Sequence, residues 1–261
     1  MKNPGFNIVM LGAGNLAWHL APALETAGHR VSTVYSRTLN HAEALAARLQ
    51  NARATNNPDL SASPADLFII AVTDSALPEL LQQAVFPANS VVAHTSGTQP
   101  LRVFEDQPAI RGGVFYPLQT FSKEAPVNFS VIPICLEAAD ENAMLLLQKT
   151  AESLSRQVQK ISSEERKILH LAAVFACNFT NHLFGISSGI LQQSRLDFKL
   201  LQPLVEQTVQ KAFLHPPFSV QTVPAVRHDQ DTIQAHLELL KNDPGYRQLY
   251  ELLTRSIQEH S

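Results

Sequence analysis

The amino-acid sequence predicts an α/β fold, in which a mostly parallel sheet flanked by helices is followed by an all-α C-terminal domain. The first observation is a strand, glycine loop, helix and strand pattern over residues 6–37. The second is the alternation of strand-like and helical patterns, which stops near residue 161 and leaves helical patterns alone. Such a change marks a domain boundary, so we expect domains at 1–161 and 162–261.

The stretch after the first predicted strand has the pattern of a nucleotide-binding loop. Residues 6–11 are almost all apolar, and residues 12–17 then read G-x-G-x-x-A before a helical pattern begins. In such a loop the glycines allow a tight turn and the approach of a pyrophosphate, while the helix N-terminus offers free N–H groups. This context is typical of a Rossmann-type dinucleotide site. The residues expected to hold the pyrophosphate are Gly12, Gly14, Asn15 and Leu16.

The residues after the second predicted strand, 31–35, indicate which dinucleotide is bound. Folds that bind NAD usually carry an acid there, which holds the ribose 2′-hydroxyl. This chain instead has Ser36, Arg37 and Thr38, and a guanidinium can bind a 2′-phosphate bidentately while hydroxyls donate beside it. The sequence therefore favours NADP, although Arg37 could also be an ordinary solvated residue of a loop.

The remaining elements follow from their apolar patterns and their caps. Strands are predicted at 67–72, 90–93, 131–136 and 157–161. Helices are predicted at 40–50, from about 75 onward, and at 141–154, 164–193, 200–213, 231–242 and 245–259. No element is assigned to residues 112–121. The order supports a sheet domain followed by a helical one.

Two strand ends are expected to lie beside the glycine loop, because ligands of open α/β sheets bind at the carboxyl ends of the strands. The next two predicted strands, 67–72 and 90–93, are followed by Thr73 and, after two further residues, by Ser96. We therefore expect Val72 and Thr73 to line the path of the cofactor. Ser96, with Gly97, is expected to approach the nicotinamide or the substrate.

The long helix predicted at 164–193 carries polar residues on an apolar face. At 3.6 residues per turn one stripe contains His170, Val174, Cys177 and Asn181, with Asn178 to one side. Buried polar groups need partners, so His170 either delivers a proton to a substrate or bonds to neighbouring backbone. Ser96 and Tyr116 are alternative proton donors. The candidate catalytic residues are His170, Ser96, Tyr116 and Asn178.

Composition and charge narrow the class of protein. The 261 residues suit one large domain or two moderate ones, and a net charge of −3 without a basic block disfavours nucleic acid as a partner. The apolar runs are too short to predict a membrane span, and no ligand spacing resembles a metal site. Cys135 and Cys177 lie in apolar surroundings, so we expect buried, reduced thiols in a cytoplasmic protein.

Five segments carry a resemblance that spans essentially the whole chain. They are GAGNLA at 12–17, YSRT at 35–38, HTSGT at 94–98, YPLQTFS at 116–122 and HLAAVFACNF at 170–179. They resemble the NADP oxidoreductases with a Rossmann-like domain and a helical C-terminal domain of unknown function. That family is related to pyrroline-5-carboxylate reductase and to the 6-phosphogluconate and 3-hydroxyisobutyrate dehydrogenases.

The resemblance implies hydride transfer between NADP(H) and a small carbonyl, hydroxy-acid or imine substrate. It places the substrate between Ser96, Tyr116 and the helix at His170, with Asn178 further along that helix. It also implies a homodimer formed through the C-terminal helices. No lysine clearly matches the catalytic lysine of the related hydroxyacid dehydrogenases, so that role is not transferred to this chain.

The chain departs from the family pattern at two places. Tyr116 stands where the family is expected to have a histidine before Pro-Leu-Gln. The segment 222–229 resembles the family motif T-G-P-x-x-R-G-D, but Val223 and His228 replace glycines. Arg227 and Asp229 of that segment could hold and orient a substrate carboxylate, or could form a surface ion pair of little energetic value.

Two other functions are consistent with the same glycine loop. A non-catalytic NADP-binding or redox-sensing protein needs the cofactor site but no proton donor. A methyltransferase could use the loop for adenosylmethionine, although Arg37 disfavours this because an acid usually holds the ribose hydroxyls. Turnover with a substrate panel separates the first of these from a reductase, and binding of adenosylmethionine against NADPH separates the second.

Overall fold

The computed structural model describes residues 5–221 and 229–260, which belong to two compact units. The division falls after Cys177, so the first unit contains the sheet, and the described part of the second contains helices and the turns between them. The boundary predicted after residue 161 coincides with the end of the sheet. The first unit continues beyond that point through one further helix.

One sheet runs through the first unit. Its strands are β1 (Asn7–Leu11), β2 (Arg30–Tyr35), β3 (Arg53–Thr55), β4 (Leu67–Ile70), β5 (Val91–His94), β6 (Arg111–Pro117), β7 (Ile134–Ala138) and β8 (Val158–Lys160). The strand order is β3-β2-β1-β4-β5-β6-β7-β8, and every neighbouring pair is parallel except β6 and β7. The chain changes direction across the sheet between β1 and β4, and such a switch point opens a crevice at the carboxyl ends of the strands.

Four helices cover the two faces of this sheet: α1 (Asn15–Thr26), α2 (Leu39–Ala46), α3 (Leu77–Gln83) and α4 (Glu141–Leu154). Helix α5 (Ser163–Ala173) follows the last strand. Alternate side chains of β1 enter two separate cores, because successive residues of a strand point to opposite faces. Ile8 and Met10 pack with α1, α2 and α4, whereas Val9 and Leu11 pack with α3.

The predicted α/β class, with its mostly parallel sheet and helical C-terminal region, is confirmed. Strand β6 was not predicted, because two glycines interrupt its apolar pattern. A Cβ on Gly112 would lie 2.7 Å from the Phe104 ring, and one on Gly113 would lie 2.7 Å from a methyl carbon of Leu147. Close packing on both faces of β6 therefore requires glycine at these two positions, and the same glycines make the strand hard to recognise from the sequence. The short strand β3 was also missed.

The described helices of the second unit are α6 (Thr180–Gln193), α7 (Gln202–Leu214), α8 (Gln230–Leu239) and α9 (Pro244–Glu259). A π-helical segment, Val174–Phe179, lies between α5 and α6. A π-helical turn contains more residues than an α-helical one, so it rotates the side chains that follow. The single stripe predicted from His170 to Asn181 assumed uninterrupted α-helix and is therefore wrong.

Many apolar side chains from α5 onward are exposed. Those at least half exposed among the described residues are Ile168, Leu171, Phe175, Leu200, Leu204, Phe213, Leu214, Phe218, Leu239 and Leu252. Cys177 is exposed with them, so the expectation of two buried thiols is correct only for Cys135. The reason is that no residue of the π-helical segment is buried.

By length and composition alone, one described helix, the 31-residue stretch Ser163–Gln193, is apolar enough to cross a membrane. No membrane span was expected from the apolar runs of the sequence. The first turn of this stretch contains Glu164 and Glu165, and the next residue, Arg166, is fully buried in the first unit. The start of the helix is therefore anchored in a folded core.

Arg166 makes this anchor. Its guanidinium donates to Glu137 Oε2 of β7 at 2.6 Å and to the carbonyl oxygen of Gln99, after β5, at 2.6 Å. The hydroxyl of Ser163 donates to the same carboxylate at 2.7 Å. A capping box between Ser162 and Glu165 begins α5 directly before these contacts. One side chain thus holds α5, β7 and the segment after β5 together.

We expect Arg166→Met to lower the free energy of unfolding of the first unit by about 3–5 kcal/mol, because it leaves the Glu137 carboxylate without its buried counter-charge. Guanidinium unfolding followed by Trp18 fluorescence measures this, since Trp18 is the single tryptophan and lies in the first unit. The double variant Arg166→Met/Glu137→Leu should recover much of the loss. A single variant as stable as the wild type would contradict this role.

Candidate functional site

A cleft of about 610 Å³ opens at the carboxyl ends of β1, β2 and β4, and we call it the glycine-loop cleft. Nine of the ten residues predicted to bind the cofactor line it: Gly12, Gly14, Asn15, Leu16, Ser36, Arg37, Thr38, Val72 and Thr73. The tenth, Ser96, is not among the lining residues, although its neighbour Thr95 is. The sheet therefore brings the predicted residues together, and their role in binding stays a prediction.

The two glycines of the loop have different surroundings. Gly12 has a φ of +117°, and a Cβ there would lie 2.1 Å from the carbonyl oxygen of Ala71. A Cβ on Gly14 would meet no protein atom within 4 Å. Gly14 is also the N-cap of α1 and supplies no side-chain hydrogen bond, so the N–H groups of the first turn remain available to an anion. The open space at Gly14 fits a pyrophosphate.

At the end of the cleft beyond β2, the predicted cation Arg37 lies beside an acid, Glu79. Arg37 Nη1 lies 3.8 Å from Glu79 Oε2, and the two side chains are 71% and 58% exposed. Ion pairs as exposed as this one contribute little free energy, so Arg37 can exchange Glu79 for a phosphate. The acid that NAD-binding folds carry after the second strand is indeed missing, but α3 brings another acid to the same place.

Four cleft residues with titratable side chains were not among the residues predicted to bind the cofactor, namely Tyr35, His41, Glu79 and Lys123. Tyr35 ends β2, His41 lies on α2, Glu79 lies on α3, and Lys123 lies in the segment between β6 and β7. Tyr35 and His41 flank the predicted segment 36–38, whereas Glu79 and Lys123 reach the cleft only when distant elements pack. The positions of Glu79 and Lys123 follow from the sheet order.

A second polar cluster in the first unit joins two of the predicted catalytic residues. The Tyr116 hydroxyl lies 3.1 Å from His170 Nδ1, within hydrogen-bond distance. A Cβ on Gly97 would lie 2.5 Å from His170 Nδ1 and 3.0 Å from Tyr116 Cζ. Only glycine at position 97 therefore allows the HTSGT segment to approach this pair so closely. Burial raises the pKa of Tyr116 to about 12, so its phenol is protonated at neutral pH.

Ser96 and His94 shape the segment next to this pair. The Ser96 Oγ accepts hydrogen bonds from the backbone N–H groups of Thr98 and Gln99, at 3.1 and 2.9 Å. His94 Nδ1 accepts from the Ser96 N–H at 3.1 Å. Burial lowers the pKa of His94 to about 4, so its imidazole is neutral at pH 7. Through these contacts both side chains hold the backbone of residues 96–99 in place. A catalytic role of Ser96 stays a prediction.

The other predicted site residues are not part of this cluster as described. Asn178 is exposed and is the first residue of the second unit. The segment 222–228, which includes Arg227, lies outside the described residues. Asp229 is the N-cap of α8 and accepts a hydrogen bond from Thr232 N at 3.1 Å. Within the described ranges, no group of three or more His, Cys, Asp or Glu side chains could hold a metal ion.

Comparisons with known proteins agree with this architecture. A Rossmann-like domain matches residues 1–118, and a domain of unknown function, DUF2520, matches residues 132–257. A Bacteroides fragilis protein, described as a candidate NADP oxidoreductase, has a solved structure with 42% identity and a TM-score of 0.91, covering 98% of this chain and 99% of that one. No curated protein matches the chain.

Two more distant solved structures share the fold. A Thermotoga maritima protein is 22% identical, with a TM-score of 0.68 and 97% of each chain covered. A Streptomyces aurantiacus imine reductase is 14% identical, with a TM-score of 0.67, and the match covers 97% of this chain and 93% of that one. Likeness at these identities concerns the fold alone.

The contrast between the glycines yields a test of the cleft. Gly14→Val should fold as the wild type does but bind no dinucleotide, because its methyl groups occupy the open space. Gly12→Ala should instead lower the free energy of unfolding by about 1–3 kcal/mol through backbone strain. Circular dichroism reports folding and calorimetry reports binding. A folded Gly14→Val variant that binds NADPH normally would show that the site lies elsewhere.

Proposed function

The chain belongs to the family that joins a Rossmann-like domain to a DUF2520 domain, and we propose that it is an NADPH-dependent reductase of small imines or carbonyl compounds. The observation that carries the proposal is the combination of the glycine-loop cleft with the pair formed by Tyr116 and His170. The cleft offers a site for the cofactor, and the pair offers a proton. Reduction of a C=N or C=O bond requires both.

The cofactor in this proposal is NADPH. The first turn of α1, beyond Gly14, would receive the pyrophosphate, and Arg37 with Ser36 and Thr38 would receive the 2′-phosphate. No acid stands in the first turn of α1 to repel the pyrophosphate. Glu79 is a negative charge beside Arg37, where the 2′-phosphate would bind, and it would repel that phosphate. Its distance of 3.8 Å from Arg37 makes it a competitor of the phosphate for the guanidinium.

NADPH, when bound, supplies the hydride. The proton goes to the nitrogen or oxygen of the substrate, and we assign its delivery to the Tyr116 hydroxyl. The high pKa of Tyr116 keeps the phenol protonated, but it also makes a bare phenolate costly. His170 removes this difficulty, because its Nδ1 lies within hydrogen-bond distance of Tyr116 Oη and can pass a proton to it as the phenol gives up its own.

The proposed substrate class is a small imine or carbonyl compound. The relay delivers one proton to a basic atom that gains negative charge, as in reduction of an imine or a carbonyl group. The likeness of fold to an imine reductase favours a C=N bond as the first choice to test. Hydroxy-acid oxidation, also implied by the family resemblance, would run the same relay in reverse.

The partner in this proposal is a second copy of the chain. Soluble monomers rarely expose large continuous apolar surfaces, and Phe213, Leu214 and Leu239 of the second unit are 88%, 76% and 78% exposed. Helices α6 to α9 would cover these side chains in a homodimer. The cytoplasmic location and the absence of nucleic-acid and membrane partners stay predictions from the sequence.

The proposal predicts a cofactor preference that two substitutions shift in opposite directions. Arg37→Ala should weaken NADPH binding by about ten- to a hundred-fold and leave NADH binding nearly unchanged, because only NADPH has the 2′-phosphate. Glu79→Gln should strengthen NADPH binding, because it removes a charge beside Arg37. Calorimetric titration with each cofactor measures both effects. Equal affinity of the wild type for NADPH and NADH would contradict the assignment.

The proton relay predicts that three substitutions act on one step. Tyr116→Phe and His170→Ala should each lower kcat by about a hundred-fold, the usual size of a general-acid contribution, with little change in NADPH affinity. Gly97→Ala should lower kcat without removing any polar group, because its Cβ would lie 2.5 Å from His170 Nδ1. Steady-state kinetics on an imine that the wild type reduces provides the measurement.

The relay also has its own control. Adding Gly97→Ala to Tyr116→Phe should lower kcat no further, because residues that act as a unit are not additive. Thermal unfolding of each variant separates a loss of catalysis from a loss of folding. A folded His170→Ala variant with undiminished kcat would show that His170 is a packing residue.

A further inference from the structure

The segment between β6 and β7 is fastened to the first turns of α1. Asn15 Nδ2 donates to the carbonyl oxygen of Phe121 at 3.0 Å, and His19 Nε2 lies 2.8 Å from the carbonyl oxygen of Ser122. The rings of His19 and Phe121 stack with their centroids 6.2 Å apart. Two polar contacts and one stacking contact thus bring this distant segment to the pyrophosphate end of the glycine-loop cleft.

Phe121 also connects the segment to the core of the first unit. Its ring stacks on Phe129, with centroids 6.0 Å apart, and Phe129 is only 6% exposed. The segment is therefore held from both sides, by α1 and by the core. The backbone position of Lys123, two residues after Phe121, follows from these contacts.

Lys123 is a cation of this segment that lines the glycine-loop cleft together with Gly14 and Asn15. Its Nζ lies 4.6 Å from the centre of the Trp18 ring, on α1. Arg48 approaches the same ring, with its Cζ 4.1 Å from the centre. One indole therefore attracts two cations, and only one of them, Lys123, is among the residues that line the cleft.

Neither cation has a carboxylate partner among the ion pairs of residues 5–221 and 229–260. Two positive charges that share an aromatic ring repel each other, and an exposed cation–π contact is a weak interaction. A phosphate oxygen binds an ammonium more strongly through a charge-assisted hydrogen bond. An anion in the cleft would therefore draw the ammonium away from Trp18.

We propose that Lys123 is a pyrophosphate-binding residue of the glycine-loop cleft, and that its ammonium leaves the Trp18 ring for the cofactor. This inference rests on the proposed function, since it requires that the cleft binds a dinucleotide. It adds a contact that the glycine loop itself does not supply. Because the pyrophosphate is common to NADP and NAD, Lys123 contributes to affinity and Arg37 contributes to the choice between the two cofactors.

Trp18 makes the exchange measurable, because it is the single tryptophan of the chain. The oxidised cofactors NADP⁺ and NAD⁺ are the suitable probes, since they lack the reduced nicotinamide that absorbs tryptophan emission. Departure of Lys123 from the indole should change the emission of Trp18 in the wild type as either probe is added. The same titration gives the affinity, and calorimetry checks it.

The test compares two variants that each remove one cation from the same indole. Lys123→Met should weaken the binding of NADP⁺ and of NAD⁺ alike by about ten-fold, the range for loss of one charged hydrogen bond, and should abolish most of the emission change. Arg48→Met is the matched control and should bind both probes as the wild type does, with the emission change retained. Lys123 is exposed, and circular dichroism confirms that both variants fold.

The outcomes are distinct. Wild-type affinity of Lys123→Met for both probes would overturn the inference and leave the proposed function intact. A loss confined to NADP⁺ would also overturn it, because it would place the ammonium at the 2′-phosphate. A wild type that binds neither probe would overturn the proposed function itself.

Discussion

The polar cluster of the first unit depends on the ion pair and the hydrogen bonds that the buried guanidinium of Arg166 makes. A charge removed from water is tolerated only when its partners are close and well oriented, and here they come from β7 and from the segment after β5. Helix α5 can therefore dock only where both acceptors meet Arg166. His170 lies one helical turn further along α5, so its approach to Tyr116 and Gly97 follows from the position of this ion pair.

Most of the fold could be predicted because its signals are local. The buried β1, the glycine loop and α1 follow one another in the chain, and each has its own pattern over a few residues. Strand β6 could not be predicted, because its glycines are explained only by Phe104 and Leu147 of other elements. The π-helical segment was missed for a related reason, since the hydrophobic pattern of a long helix does not show where its hydrogen bonding changes.

The residues of the candidate site likewise fall into those with a local sequence signal and those that only the folded structure brings together. Arg37 and the glycines could be found from the sequence because they lie at fixed distances from the strands that carry them. Glu79 and Lys123 could not, because α3 and the segment after β6 reach the cleft only through the sheet order. Tyr116 and His170 were each singled out, but the contact between them, across 54 residues of chain, appears only in the folded unit.

The central claim is that NADPH bound by this chain delivers hydride to a C=N or C=O bond. Its most direct test is transfer of deuterium from NADPH that carries deuterium at both C4 positions to a panel of cyclic imines and small ketones, followed by mass spectrometry. The account predicts that a reduced product gains one deuterium on carbon, with one proton added from the medium. Retention of all deuterium on NADPH that binds with normal affinity would contradict the account and favour a non-catalytic binding protein.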